Sequence, residues 1–184
     1  NTSCSGSCTF VSCATDWWDL NLDTGGLPSN GCEYNCTFVS TSDSPDDSFV
    51  DQNCDGVDGD VTAAIFVSPA GSDSNPGTKN QPKATLQAGI TAAASAGKAV
   101  YVAGGNYNTS AAIVLANGVS IYGGYNQTTW LRSNADIPQF VSTASTAVSA
   151  TNITQPTTLD RVSFRAGAAS GAGASSYGLL ANNS

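Results

Sequence analysis

The sequence predicts a mainly β, turn-rich chain with one helix, preceded by a small, irregular, disulfide-rich module. Three observations carry this. Residues 64–107 read in succession as strand, polar loop, helix and strand. Beyond them, short apolar runs alternate with Gly, Asn, Pro and Ser, residues that let a backbone turn at little cost. All six cysteines stand before residue 55, in a segment poor in large apolar side chains.

Charge divides the chain at the same place as the cysteines. Of fourteen acids, eleven lie at or before Asp60, while all six Lys and Arg lie at or after Lys79. The first part therefore carries a net charge of −11 and the remainder +3, within a total of −8. Such a break predicts two units, residues 1–61 and 62–184. The few, scattered basic residues form no patch for nucleic acid. No apolar run approaches the ~18 residues of a membrane span.

A first unit of this size and composition cannot fold on hydrophobic burial alone and needs covalent staples. Cys4, Cys8, Cys13, Cys32, Cys36 and Cys54 supply them. We expect three disulfides, each contributing about 2–4 kcal/mol by restricting the unfolded chain. Local pairing is preferred: Cys4 with Cys8, Cys13 with Cys32, Cys36 with Cys54. With no His and no C-x-x-C pair, a zinc site lacks its usual ligands. Disulfides place the chain in an oxidising compartment, so outside the cell or on its surface.

The acids of this unit are patterned. Asp51, Asn53, Asp55 and Asp58 stand in DQNCDGVDGD, which opens like a calcium loop. Alternate oxygens can turn toward one hard cation, Gly56 permits the bend, and the Val57 carbonyl can ligate. Thr62 occupies the twelfth position, where an EF-hand places a bidentate Glu, and no helix pattern follows. Asp19, Asn21 and Asp23 form a second, looser run. Calcium is thus the expected cofactor, structural and weakly held; Asx turns without metal use the same residues. The adjacent Trp17 and Trp18 fit either a packing role or a carbohydrate platform.

In the second unit, Ala64–Val67 is a short apolar strand. Pro82 is shaped for the first turn of a helix, Leu86, Ile90 and Ala93 recur on one face, and Gly97 is a stop, predicting a helix over about 82–96. Ala99–Ala103 is the next strand. Further strands are expected at Ala112–Leu115, Val119–Tyr122, Phe140–Ser142, Ala147–Ala150, Leu159–Phe164 and Tyr177–Ala181. N-x-[ST] triplets make Asn35, Asn108, Asn126 and Asn152 candidate glycosylation positions.

The segments FVSPAGSDSNPGTKNQPKATLQAGITAA, VYVAGGNYN and VSIYGGYNQTTWLR resemble the N-terminal part of secreted bacterial right-handed parallel β-helix proteins, the pectin-lyase-like superfamily. SNGCEYNC and DQNCDGVDGD resemble cysteine-rich, metal-binding-like segments of secreted bacterial surface proteins. The first resemblance implies a parallel β-helix of a few rungs over residues 62–184, with the helix capping its open end. It also raises polysaccharide as a ligand or substrate.

Cleavage of a polysaccharide would need paired carboxylates, or a base beside calcium-holding carboxylates. The second unit offers only Asp73, Asp136 and Asp160. Asp160 with Arg161 and Arg165 is the one candidate catalytic cluster, and a salt bridge on a solvated strand explains it equally well. The expectation is a non-enzymatic extracellular structural or adhesive protein. It would be stabilised by calcium and self-associate head to tail into a filament or surface layer. The alternative is a polysaccharide-binding or polysaccharide-cleaving protein.

Overall fold

The computed structural model describes residues 2–4, 8–10, 12–20 and 32–182, the first two stretches as backbone alone. The chain divides into two compact units, Asn1–Val61 and Thr62–Ser184.

The first unit has little regular structure. Strands β1 (Thr2–Cys4) and β2 (Cys8–Phe10) pair antiparallel, with Cys4 opposite Cys8 in the register. Strands β3 (Trp17–Trp18) and β4 (Tyr34–Asn35) form a second two-stranded pair. Disulfides join Cys13 to Cys32 and Cys36 to Cys54, with Cα–Cα separations of 5.5 and 5.6 Å. The side chains of Cys4 and Cys8 lie outside the described residues, so the third expected bridge does too.

The second unit opens with β5 (Ala64–Val67), α1 (Leu86–Ala96), β6 (Ala99–Ala103), β7 (Gly105–Thr109) and β8 (Ile113–Val114). There follow β9 (Ile121–Tyr125), β10 (Pro138–Ser142), β11 (Thr146–Thr151), β12 (Leu159–Asp160), β13 (Ser163–Arg165) and β14 (Tyr177–Asn182). These strands make three sheets, ordered β12-β9-β6-β5, β13-β10-β7 and β14-β11-β8, and every pairing in them is parallel. Like side chains meet across the ladders. Ile65, Val100, Ile121 and Leu159 fall in one row, and Ile113, Val148 and Leu179 in another. Tyr107, Phe140 and Phe164 stack in a third, with ring centroids 4.6 and 5.2 Å apart.

The right-handed parallel β-helix expected from the sequence needs correction. The described residues are mainly β with one helix, the strands of the second unit lie in several short parallel sheets compatible with a β-helix-like architecture, and a closed β-helix is not shown. The strands are too brief for continuous walls: β8 and β12 hold two residues each and β13 three. The β6–β9 ladder slips between Tyr101 and Ala103. The strand expected over Leu159–Phe164 breaks into β12 and β13 at Arg161, whose φ of 49° is left-handed.

The helix begins later than the pattern predicts. Lys83 donates its N–H to Phe66 and accepts from Ser68, so Pro82-Lys83 runs along β5 instead of opening a helix. Thr85 is the N-cap, its hydroxyl accepting from Ala88 N, and Gly97 closes the other end in the left-handed region. Asp73 reaches across from the preceding loop and accepts from the Ala84 and Thr85 N–H groups at 2.9 and 2.8 Å. Leu86, Gly89, Ile90 and Ala93 face inward onto Ile65, Val67, Val100 and Val102.

All four residues of β5 are buried, because both of its faces are covered. Ile65 and Val67 enter the main core, while Phe66 and Tyr101 turn the other way into an aromatic layer with Tyr125 and Trp130. Centroid distances in this layer are 4.8 Å for Phe66–Trp130 and 5.0 Å for Tyr101–Tyr125. Gly104 makes the corner from β6 to β7 possible, since a Cβ there would lie 2.6 Å from the Asp136 carbonyl oxygen.

Gly89 tests how closely α1 seats on the sheet. Alanine is the better helix former by about 1 kcal/mol. Yet a Cβ at residue 89 would overlap a Val67 methyl and crowd Val100. Overpacking of this kind costs about 1–3 kcal/mol. Gly89→Ala should therefore lower the melting temperature; an unchanged or higher value would show that the helix sits loosely.

Candidate functional site

The acidic loop of the first unit is the densest gathering of chemistry-bearing groups. Its turns rest on left-handed backbone at Cys54 and Gly56, with φ of 58° and 89°. The Cys36–Cys54 disulfide fixes it to the strand region that carries Tyr34. The carboxylates of Asp51 and Asp58 are buried beside the fully buried Val57.

The structure brings Asp51, Asn53 and Asp55 together. Oδ1 of Asp51 and Oδ1 of Asn53 both accept from the Asp55 N–H, at 3.2 and 3.1 Å. Asp51 Oδ2 also accepts from Gly56 N at 2.6 Å. Asp55 accepts from Val57 N through Oδ1 and from Val61 N through Oδ2, at 3.2 and 2.7 Å, and the Asn53 amide donates to the same Oδ2 at 3.0 Å. Asp58 instead turns an oxygen to Asp46 N, 3.3 Å away. Of the second acidic run, Asp19 is described, whereas Asn21 and Asp23 lie outside the described residues.

Two groups here had no sequence signal. Asp43, outside the loop, accepts through Oδ2 from Gln52 N at 3.1 Å and Gly59 N at 3.0 Å, the two shoulders of the loop. Tyr34 hydrogen-bonds the Asp51 carboxylate. Burial first, then that bond and the charges of Asp51, Asp55 and Asp43, raise the Tyr34 phenol well above the tyrosine range, so it stays neutral. Burial also raises Asp55, against the backbone hydrogen bonds that lower it.

This arrangement holds negative charge in a partly desolvated place. Among the described residues, no group of three or more His, Cys, Asp or Glu is set around a point that could hold a metal ion. Backbone N–H groups take up many of the carboxylate oxygens instead.

In the second unit, the three acids all hold chain together. Asp73 caps the helix entry. Asp136 accepts from Ser133 Oγ and Asn126 Nδ2, at 2.9 and 3.3 Å. Asp160 pairs with Arg132, whose side chain is wholly buried, and with Arg161 at 2.9 Å. Arg132 also donates to the Gly123 carbonyl at 2.9 Å, and its guanidinium lies over Tyr122 and Tyr125 at 5.7 and 5.6 Å. The candidate trio is thus redrawn: Asp160 and Arg161 meet, Arg165 is exposed on β13 apart from them, and Arg132 is the partner that sequence reading missed.

A cleft of about 290 Å³ opens between the start of α1 and β7. Thr85, Gln87, Asn106 and Asn108 line it, with Tyr107 and Phe140 at its base, and no charged side chain contributes. Such a lining can hold uncharged polar groups but offers no acid or base. Of the candidate glycosylation positions, Asn35, Asn108 and Asn152 are exposed, while Asn126 spends its side-chain oxygen on Thr128 and Thr129 N–H groups.

The Arg132–Asp160 pair invites a direct test. Removing one partner of a buried pair leaves an uncompensated charge and costs about 3–5 kcal/mol. Asp160→Ala should approach that loss, softened by the partial exposure of Asp160, and a thermal melt would measure it. A variant within 0.5 kcal/mol, the range of about ±0.5 kcal/mol typical of surface changes, would show that the pair does not hold the fold.

Residues 69–159, a little under half of the chain, match the profile of a family described as a protein of unknown function (DUF1565), one associated with pectin-lyase-like β-helix proteins. No curated protein and no solved structure matches the chain. The matched segment takes in α1, the Tyr101, Tyr125 and Trp130 part of the aromatic layer and the Arg132 turn, and it excludes the acidic loop. The chain is thus similar to that family across the core of its second unit.

Proposed function

We propose that this is an extracellular, non-enzymatic structural or adhesive protein of a bacterial surface, whose acidic unit is stabilised by calcium and whose second unit associates with further copies, head to tail, into a filament or layer. The observation that carries this reading is β14. It pairs with β11 on one side, all six of its residues are exposed, and Tyr177, Leu179 and Leu180 remain 43, 49 and 40 % accessible. An exposed strand bearing apolar side chains is a template for a further strand, from another copy or from a continuation of the same chain.

The charge division supports a second copy as the occupant, since a region at −11 and one at +3 attract between molecules. Contacts between unlike surfaces propagate unless the rotation closes a ring. Charge sets polarity more than affinity, because exposed charges are screened beyond about 8 Å at physiological salt. The two disulfides among the described residues are compatible with an oxidising, extracellular setting, and no helix among those residues is long and apolar enough to cross a membrane. For calcium, the support is that Asp51 and Asn53 both turn an oxygen to the Asp55 N–H while the Asn53 amide donates to the Asp55 carboxylate.

The second reading is polysaccharide binding, favoured by the uncharged, amide-lined cleft beside α1. That cleft suits binding better than cleavage, because each acid of the second unit is already engaged in holding the chain.

Sedimentation velocity over a concentration series tests the first reading. The wild-type chain should form larger species as concentration rises, and Leu179→Asp should remain monomeric with an unchanged far-ultraviolet spectrum. A monomer at every concentration, together with saturable binding of neutral oligosaccharides, would favour the second reading instead.

A further inference from the structure

We infer that Asp43 supplies the carboxylate that the acidic loop lacks at its twelfth position, making the calcium site one of loop plus outside ligand. This rests on the reading of the loop as a calcium site and names a ligand that the loop pattern does not contain.

The first observation is an oxygen without a partner. Asp43 is 7 % exposed, and its Oδ1 is buried with no hydrogen-bond partner. Burying an oxygen of a carboxylate costs free energy unless a donor or a cation meets it. The second is its placement. Oδ2 of the same carboxylate is anchored to the N–H groups of Gln52 and Gly59, both within the loop, so the carboxylate is held against it.

The third is that the unit contains nothing to neutralise it. Residues 1–61 hold eleven acids and no Lys, Arg or His. Asp43, Asp51 and Asp55 act on the one phenol of Tyr34, so their charges lie close together in a partly dry environment. Compensation from within the unit's own side chains is unavailable, and a hard divalent cation is the chemistry that fits.

Calcium takes about 6–8 oxygens at roughly 2.3–2.6 Å, from carboxylates, amides, carbonyls and water. Asp43, Asp51 and Asp55 with the Asn53 oxygen supply the charged and amide part of such a set. Among the described residues these three carboxylates are not gathered around one point, so the proposed site requires calcium to draw them together. Thr62 at the twelfth position offers only a hydroxyl, and Asp43 replaces the missing acid from the preceding segment.

The experiment is calorimetric titration of the full, oxidised chain with calcium, comparing wild type, Asp43→Asn and Asp47→Asn. Asparagine at residue 43 keeps an oxygen for the Gln52 and Gly59 N–H groups, so the fold should survive, which circular dichroism checks. The expected result is a calcium affinity at least tenfold weaker for Asp43→Asn and within twofold of wild type for Asp47→Asn. Should Asp43→Asn fail to fold, nuclear magnetic resonance of wild-type chain labelled at its aspartate carboxyl carbons replaces it. The Asp43 signal should then shift with the same saturation as that of Asp51. Undiminished binding by Asp43→Asn, or an Asp43 signal indifferent to calcium, would overturn the role of Asp43 and leave the loop as a site. No calcium binding by the wild-type chain would overturn both.

Discussion

Parallel pairing in register is the constraint on which the second unit depends. Each strand from β9 onward lies beside the strand three places earlier in the chain, so a residue's neighbours across the sheet are fixed by the length of the intervening segment. That is why Ile65, Val100, Ile121 and Leu159 share a row, and why three aromatic rings stack at Tyr107, Phe140 and Phe164. Shifting a strand by one residue would turn every inward side chain outward. The strands are short, two to six residues, and no single pairing is long enough to hold alone. Their stability comes from stacked apolar rows closed at one side by α1.

The connections matter as much as the strands. The turn after β9 folds back through Asn126, whose main-chain carbonyl accepts from Trp130 N at 3.0 Å and whose side chain accepts from Thr128 and Thr129. That puts Trp130, at a left-handed φ of 59°, over Phe66, and Arg132 beneath Tyr122 and Tyr125 against Asp160. The outer face of the β5-β6-β9 sheet is thereby sealed, and β12 is fastened to the same turn. A charge cluster that resembles catalytic equipment in one dimension becomes a clamp in three.

Much of this was legible in sequence and some was not, for physical reasons. Strands β5 and β6 announce themselves as unbroken apolar runs because both their faces are buried. The helix was legible from Leu86, Ile90 and Ala93, but its start was not, because Pro82 and Lys83 serve β5 by backbone bonds that no side-chain pattern reveals. β7 was missed: only Tyr107 of its five residues is buried, and GNYNT reads as a loop. The loop's internal pairing of Asp51, Asn53 and Asp55 follows from spacing of two residues, a local matter. Asp43 and Arg132 act on groups far along the chain, at Gly59 and Asp160, and such contacts leave no periodicity to find.

The aligned interior rows should be the last part of the second unit to open, and native-state hydrogen exchange measures this residue by residue. Val100 and Ile121 donate their N–H groups to Ser120 and Thr158 within the sheet that α1 closes, whereas Tyr177 donates to Ser145 at the exposed strand. The amides of Val100 and Ile121 should exchange only through global unfolding, with one common free energy, and that of Tyr177 should exchange faster through local opening. Equal or faster exchange at Val100 and Ile121 than at Tyr177 would contradict the account.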